Sequence, residues 1–89
     1  MAKVEIYSSI FCGFCYRAKG LLKDKGVEFT EFDVFADSAK RQEMTARAHG
    51  DRKVPQIFIN GEHVGGCDKL YQLEIENRLD ALLGLDTGS

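Results

Sequence analysis

The sequence predicts a small α/β fold, a four-stranded mixed sheet with flanking helices in the order β-α-β-α-β-β-α, and three observations predict it. Two short runs that alternate at period two are separated by a stretch of helical periodicity, the pattern of parallel strands joined by a right-handed crossover. Asn60-Gly61 separates two further strand-like runs, and this dipeptide tolerates the positive φ of a type I′ hairpin turn. The C-terminal part is Leu-rich at helical spacing.

Taken in order, Val4 and Ile6 alternate with Glu5 and Tyr7, which suits a first strand. From Phe14 to Lys25, Ala18, Leu21 and Leu22 recur at helical spacing beside Arg17, Lys19, Lys23 and Lys25, with Gly26 as the stop. Residues Val27 to Val34 alternate again, with aromatic and β-branched members, and predict the second strand. Asp37 or Ser38 caps a second helix that runs through Met44 and Ala48 to Gly50. Val54 to Ile59 and Glu62 to Val64 make the hairpin, and Gly65-Gly66-Cys67-Asp68 opens one last helix carrying Leu70, Tyr71, Leu73, Ile75, Leu79, Leu82 and Leu83 on an apolar face. Residues 1–85 are expected to form one domain, and 86–89 a polar tail.

The 89 residues are 44% hydrophobic and 29% charged, with six Phe and three Tyr, enough apolar material for a core without metal or disulfide support. Twelve Lys and Arg against fourteen Asp and Glu leave a net charge of -2, which lacks the basic field of a nucleic-acid binder. No apolar run near the N-terminus is long enough for a signal peptide or a membrane helix, so a cytoplasmic protein is expected, with no membrane partner. Three cysteines in a reducing compartment argue against a structural disulfide framework. A bridge between Cys12 and Cys15 would close too short a loop to stabilise the fold, so a bond there would be chemistry.

Cys12-Gly13-Phe14-Cys15 lies where a strand hands over to a helix. The sulfur of Cys12 is then near unpaired N–H groups and the positive end of the helix dipole, which favour a thiolate. Cys12 is the expected nucleophile. Cys15, one helical turn on, can reach a mixed disulfide on Cys12 and expel the other thiol. A CxxC pair taken alone can also be half of a zinc site or a chance pairing, although redox chemistry is the commoner reading. Val54-Pro55 precedes a strand, and a cis bond there would present the Val54 backbone as an edge for an extended peptide, although a lone proline more often just marks a strand start. Gly65-Gly66-Cys67-Asp68 offers free amides and a capping Asp68 for a carboxylate, although an ordinary capped turn reads the same way.

On Glu5-Ile6-Tyr7, Cys12-Gly13-Phe14-Cys15, Lys53-Val54-Pro55-Gln56-Ile57-Phe58-Ile59 and Gly65-Gly66-Cys67-Asp68, in order and spacing, the chain resembles the small bacterial dithiol glutaredoxins. The resemblance implies a thioredoxin-like fold and a glutathione-dependent thiol-disulfide oxidoreductase. Its partners would be glutathione and disulfide-bonded or glutathionylated proteins, and it would act as a monomer. Carried over by residue, Cys12 takes glutathione from a mixed disulfide and Cys15 assists in dithiol reductions. Val54 pairs with the cysteinyl unit beside a cis-Pro55. Gly66, Cys67 and Asp68 hold the γ-glutamyl end, Arg52 and Lys53 stand near the glycyl carboxylate, and Phe14 walls the groove. Three positions depart from the family pattern: Ser9 replaces a common Lys, Gly13-Phe14 replaces Pro-Tyr, and Lys53 replaces a common Thr.

Related members with Gly between the cysteines can hold a [2Fe–2S] cluster between two subunits, which leaves a cluster carrier or sensor in a dimeric form as the alternative. A thioredoxin is disfavoured by the short chain, by the lack of Trp beside the cysteines, and by the Gly-Gly-Cys-Asp segment. A Cys₃His zinc set of Cys12, Cys15, His63 and Cys67 is disfavoured because strand alternation sends His63 opposite to Val64. Cys67 reads as a half-buried small residue at a helix start, and His49 as a solvated residue at a helix end.

Overall fold

The computed structural model describes residues 2–85, so the tail expected over 86–89 lies outside the described residues. The elements are β1 (Val4–Ser8), α1 (Gly13–Asp24), β2 (Thr30–Asp33), α2 (Ser38–Arg47), β3 (Gln56–Ile59), β4 (Glu62–Gly65), α3 (Cys67–Ile75) and α4 (Leu79–Leu82). They form a thioredoxin-like fold around one four-stranded sheet of order β2-β1-β3-β4. β1 pairs parallel with β2, with Glu5 opposite Thr30, and antiparallel with β3, with Ile6 opposite Ile57; β3 and β4 are antiparallel. Among the described residues, no helix is long and apolar enough to cross a membrane.

Strand alternation divides the core into two layers. Val4, Ile6, Ile57 and Ile59 pack with Ala18, Leu21 and Leu22 of α1, Leu70 of α3 and Leu79 of α4. Tyr7 and Phe58 face the other way, against Met44 and Ala48 at α2. The central strand is therefore covered on both faces, and Glu5 and Tyr7, read from alternation as the polar side, are buried. They keep their polar atoms satisfied: Tyr7 Oη donates to Glu43 Oε2 at 2.6 Å and accepts from Arg47 Nη1 at 2.7 Å, and Arg47 Nη2 pairs with Glu5 Oε1 at 3.0 Å. Arg47 also lies 4.1 Å from the Phe58 ring centroid, a cation–π contact that closes this end of the layer.

Local signals set the boundaries. Asp37 caps α2 by accepting from the N–H groups of Ala39 and Lys40 at 3.0 and 3.2 Å. Gly26 ends α1 as predicted, its N–H bonding Lys23 O while Val27 N–H bonds Leu22 O. Asn60 and Gly61, at φ 54 and 81, form the expected hairpin turn.

Two expectations change. β2 begins at Thr30 instead of Val27, because Val27 packs into the core as part of the connection from α1. The single last helix is two, α3 and α4. Asn77 adopts φ 58, its N–H bonds Glu74 O and the Arg78 N–H bonds Leu73 O, the double bond of a Schellman stop. The turn moves Ile75 off the apolar face, leaving it 79% exposed. Lys25 staples the break, its Nζ standing 2.7 Å from both Glu74 Oε1 and Asp80 Oδ1.

Candidate functional site

β1 ends at Ser8 and α1 begins at Gly13, so the intervening turn delivers Cys12 to the N-terminus of a helix. Cys12 N–H bonds Ser9 O at 3.2 Å, and the Ser9 hydroxyl accepts from Phe11 N–H at 3.2 Å, which folds residues 9–12 tightly. Cys12 is the N-cap, with extended backbone (φ -108, ψ 107) and a sulfur that accepts from the N–H of Cys15 at 3.1 Å. No acidic residue occupies the first turn, so nothing there offsets the helix dipole at this sulfur. Across the gap, the thiol donates to Val54 O at 3.6 Å.

Cys12 is half-buried and Cys15 fully buried, and both are free thiols. Burial first, and then the hydrogen bond with Cys12, push the Cys15 thiol up to about 12, while the Ser9 backbone and Lys19 act in the opposite direction. The two sulfurs are thus unequal: one is presented to solvent and capped by an amide, the other is held neutral beneath it.

Beside Cys12 lies an open groove of ≈ 290 Å³. Its walls include Phe14, Lys53, Val54, Pro55, Gly66, Cys67 and Asp68, which the sequence placed at one site. Val54-Pro55 is a cis bond. A Cβ on Gly66 would stand 3.4 Å from Pro55 O, so the start of α3 abuts the proline segment closely. Gly66, not Asp68, is the N-cap of α3, and it makes no side-chain cap bond. The correction follows from where the helix starts: Asp68 is its second residue, so its carboxylate is left for the groove and the first amides of α3 stay without a side-chain cap. Cys67 is 6% exposed, and burial pushes its thiol up, in keeping with a packed small residue.

Arg52 does not line the groove; its carbonyl accepts from Arg41 Nη1 at 3.2 Å. Two residues that the sequence reading left on generic helix faces do line it, Arg17 and Tyr71. The Arg17 guanidinium lies 5.3 Å from the Tyr71 ring centroid, and Tyr71 Oη donates to Arg17 O at 3.3 Å. Helical spacing carried the signal, since Arg17 is three residues after Phe14 and Tyr71 four after Cys67, on the same faces. The groove therefore offers two cations, Arg17 and Lys53, one carboxylate, Asp68, and free helix amides, a set that suits a short zwitterionic peptide with more carboxylates than amines.

The Cys₃His set is not brought together. Cys67 packs in the α1 and α3 layer, as does Val64, whereas His63 lies on the opposite face, 5.1 Å from the Phe58 ring and 2.7 Å by Nε2 from Gln56 Oε1. His49 is exposed at the end of α2, its ring 5.6 Å from that of His63.

The glutaredoxin family profile matches residues 4–64. Glutaredoxin 3 of Escherichia coli is 52% identical over 83 residues, which are 93% of this chain and 99% of that protein. The solution structure of glutaredoxin from Brucella melitensis is 50% identical with a TM-score of 0.82, covering 100% of this chain and 94% of that one. The buckwheat glutaredoxin–glutathione complex superposes with a TM-score of 0.84 at 28% identity, over 94% of this chain and 78% of its own.

Proposed function

The chain belongs to the glutaredoxin family and is a thiol-disulfide oxidoreductase, and from that premise we propose that it works with glutathione through Cys12 and Cys15. The observation that carries this reading is the amide-capped sulfur of Cys12 lying 3.6 Å from the carbonyl oxygen of Val54, a residue that lines the groove. An extended peptide pairing with the backbone of Val54 would bring its own sulfur to that of Cys12. Its γ-glutamyl end would reach the amides of Gly66 and Cys67 and the Asp68 carboxylate, which suits its ammonium and carboxylate together. The glycyl carboxylate would face Lys53 and Arg17, with Phe14 as an apolar wall. Support for glutathione as the ligand comes from the buckwheat relative, whose structure is a complex with glutathione.

The chemistry proceeds by exchange. The Cys12 thiolate attacks the sulfur of a glutathionylated protein, the protein thiolate leaves and takes a proton, and Cys12 carries glutathione. A second glutathione thiolate then attacks that mixed disulfide, releasing glutathione disulfide and Cys12. With a protein disulfide, Cys12 forms a mixed disulfide with one target sulfur, and Cys15 attacks Cys12 to release it, leaving a Cys12–Cys15 bond that two glutathione molecules reduce.

Cys12→Ser and Cys15→Ser in a glutathione-coupled assay test the roles. Cys12→Ser is expected to be inactive on every substrate, and Cys15→Ser to reduce small glutathione mixed disulfides while losing protein-disulfide reduction. Equal loss in both variants on the small substrate would overturn the assignment.

A further inference from the structure

Resting on the reading of Cys12 and Cys15 as a dithiol that reduces protein disulfides, we infer that Phe11 and Phe35 form a docking surface for the polypeptide target, taking an apolar side chain that flanks the target's cysteine. Sheet topology puts the two rings there. Ser8 at the end of β1 stands opposite Asp33 at the end of β2, and Tyr7 stands opposite Gln56 at the start of β3, so three connecting segments meet at one end of the sheet. The segment after β1 carries Cys12 and is the middle one. On the β3 side lie Val54, Pro55 and the groove already described. On the β2 side lies Phe35, and its ring meets that of Phe11, the residue before Cys12, edge to face with centroids 4.8 Å apart.

The pair is open to a partner. Phe11 is 74% and Phe35 60% exposed, and neither belongs to either core layer. Of the seven exposed large hydrophobics among the described residues, five (Ile10, Phe11, Phe14, Tyr16 and Phe35) lie on the turns and first helical turn around Cys12. Apolar side chains scattered singly over a surface are ordinary, whereas a cluster beside a reactive group marks a contact surface. Both rings stand on hydrogen-bonded turns. Ser9 Oγ accepts from Phe11 N–H at 3.2 Å, and Asp33 Oδ1 accepts from the N–H groups of Phe35 and Ala36 at 2.9 and 3.1 Å. Val34 N–H bonds Ser8 O at 2.9 Å and ties the two turns together. A surface held in this way loses little freedom when it is covered.

The occupant follows from chemistry. Glutathione is a γ-linked tripeptide with no apolar side chain to lay on a phenylalanine pair, and the groove that suits it is not lined by Phe11 or Phe35. A polypeptide target differs. When its sulfur bonds Cys12, its neighbouring residues run over the surface around that sulfur, and Phe11 is next to Cys12 in the chain. The carboxylates on the Phe35 turn, Asp33 and Asp37, accept from backbone N–H groups, so the surface presents rings and not a free charge. An uncharged apolar side chain is the matching partner.

Two disulfide-closed peptides, identical but for Leu or Ser beside one cysteine, test this on wild type, F11S, F35S and F11S/F35S. The mixed disulfide of cysteine and glutathione is the reference substrate. Wild type is expected to reduce the Leu peptide with a kcat/KM roughly threefold to tenfold above the Ser peptide, the discrimination that a partly covered aliphatic side chain supplies. Each single variant should lower this preference and the double variant remove it, while kcat/KM on the reference substrate stays within about twofold. Equal kcat/KM on both peptides in wild type, or a preference that survives in F11S/F35S, overturns the inference. So does a parallel fall on the reference substrate, which would make the rings a support for Cys12. A wild-type dimer in sedimentation that F11S/F35S converts to monomer overturns it as well, since the rings would then cover a second copy. A wild type that turns over the reference substrate and neither peptide fails the dithiol reading itself, and the docking surface with it.

Discussion

The sulfur of Cys12 faces the carbonyl oxygen of Val54 at 3.6 Å, which joins the start of α1 to the chain segment ahead of Pro55 and leaves this thiol, alone of the three, partly open to solvent. Cys15 is 0% and Cys67 6% exposed, and burial pushes both thiols up. Alkylation needs both access and thiolate. One equivalent of iodoacetamide on the native reduced protein is therefore expected to label Cys12, with Cys15 and Cys67 reacting only on unfolding. Peptide mass mapping reads the sites; substantial native-state label on Cys67 would contradict the packing described for the start of α3.

The charges of the groove predict a split between its two ends. Among the described residues Asp68 is the one carboxylate lining the groove, so Asp68→Ala should raise KM for glutathione-bearing substrates by roughly fivefold to thirtyfold, about 1–2 kcal/mol of a partly exposed charged contact, with little change in kcat. Arg17→Ala and Lys53→Ala should raise KM as well and flatten its rise with added salt, because the cations act on a carboxylate across a solvent-open groove. Steady-state kinetics at two ionic strengths separates these outcomes; an Asp68→Ala variant with unchanged KM would remove the proposed γ-glutamyl subsite.

Gly13 makes a stability prediction at the same motif. It is the first residue of α1, a Cβ there would meet nothing within 4 Å, and the preceding Cys12 already has the extended backbone that a following proline demands. Gly13→Pro should stabilise by about 0.4–1 kcal/mol through the unfolded chain, a rise of a few degrees in Tm for a chain of this size. Thermal melts followed by circular dichroism check it; a lowered Tm would mean that the helix start depends on freedom at this position.

What could be read in the residues were the features that act locally. The placement of the Cys12 sulfur at the start of the first helix, the stop at Gly26 and the Asn60-Gly61 turn each follow from a few neighbouring residues, and each stands where expected. The groove assembled for the same reason, since each strip of it is a short motif. What depended on distant packing was not legible. Periodicity ran through Asn77 because nothing in the apolar spacing marks a left-handed residue. Tyr7 and Glu5 look polar in isolation, and only the side chains arriving on α2, Arg47 for both and Glu43 for Tyr7, make their burial possible. Arg17 and Tyr71 share helix faces with Phe14 and Cys67, a spacing the sequence shows, but those faces become groove walls only because α1 and α3 lie side by side.

His63 predicts how stability follows pH. Burial, and then the neighbouring His49, hold its imidazole below the ordinary value, so the fold prefers the neutral ring. In the unfolded chain the ring takes its proton near pH ~6.5, while the folded protein does so only at lower pH. Through that interval the unfolded state binds more protons, and stability, fully present above pH ~6.5, falls as pH drops below it. A second, separate loss should begin only below about pH 4.5, where carboxylates protonate. There Glu43, held low chiefly by the Tyr7 hydroxyl, and Glu31, held low despite its burial by Lys19 and Ser8, give up their partners. His63→Gln keeps a donor for Gln56 Oε1 and cannot titrate, so its urea midpoint should stay flat from pH 7 to 5 while retaining the acidic loss. Wild-type and variant curves that superimpose between pH 7 and 5 would show that His63 ionises alike in both states.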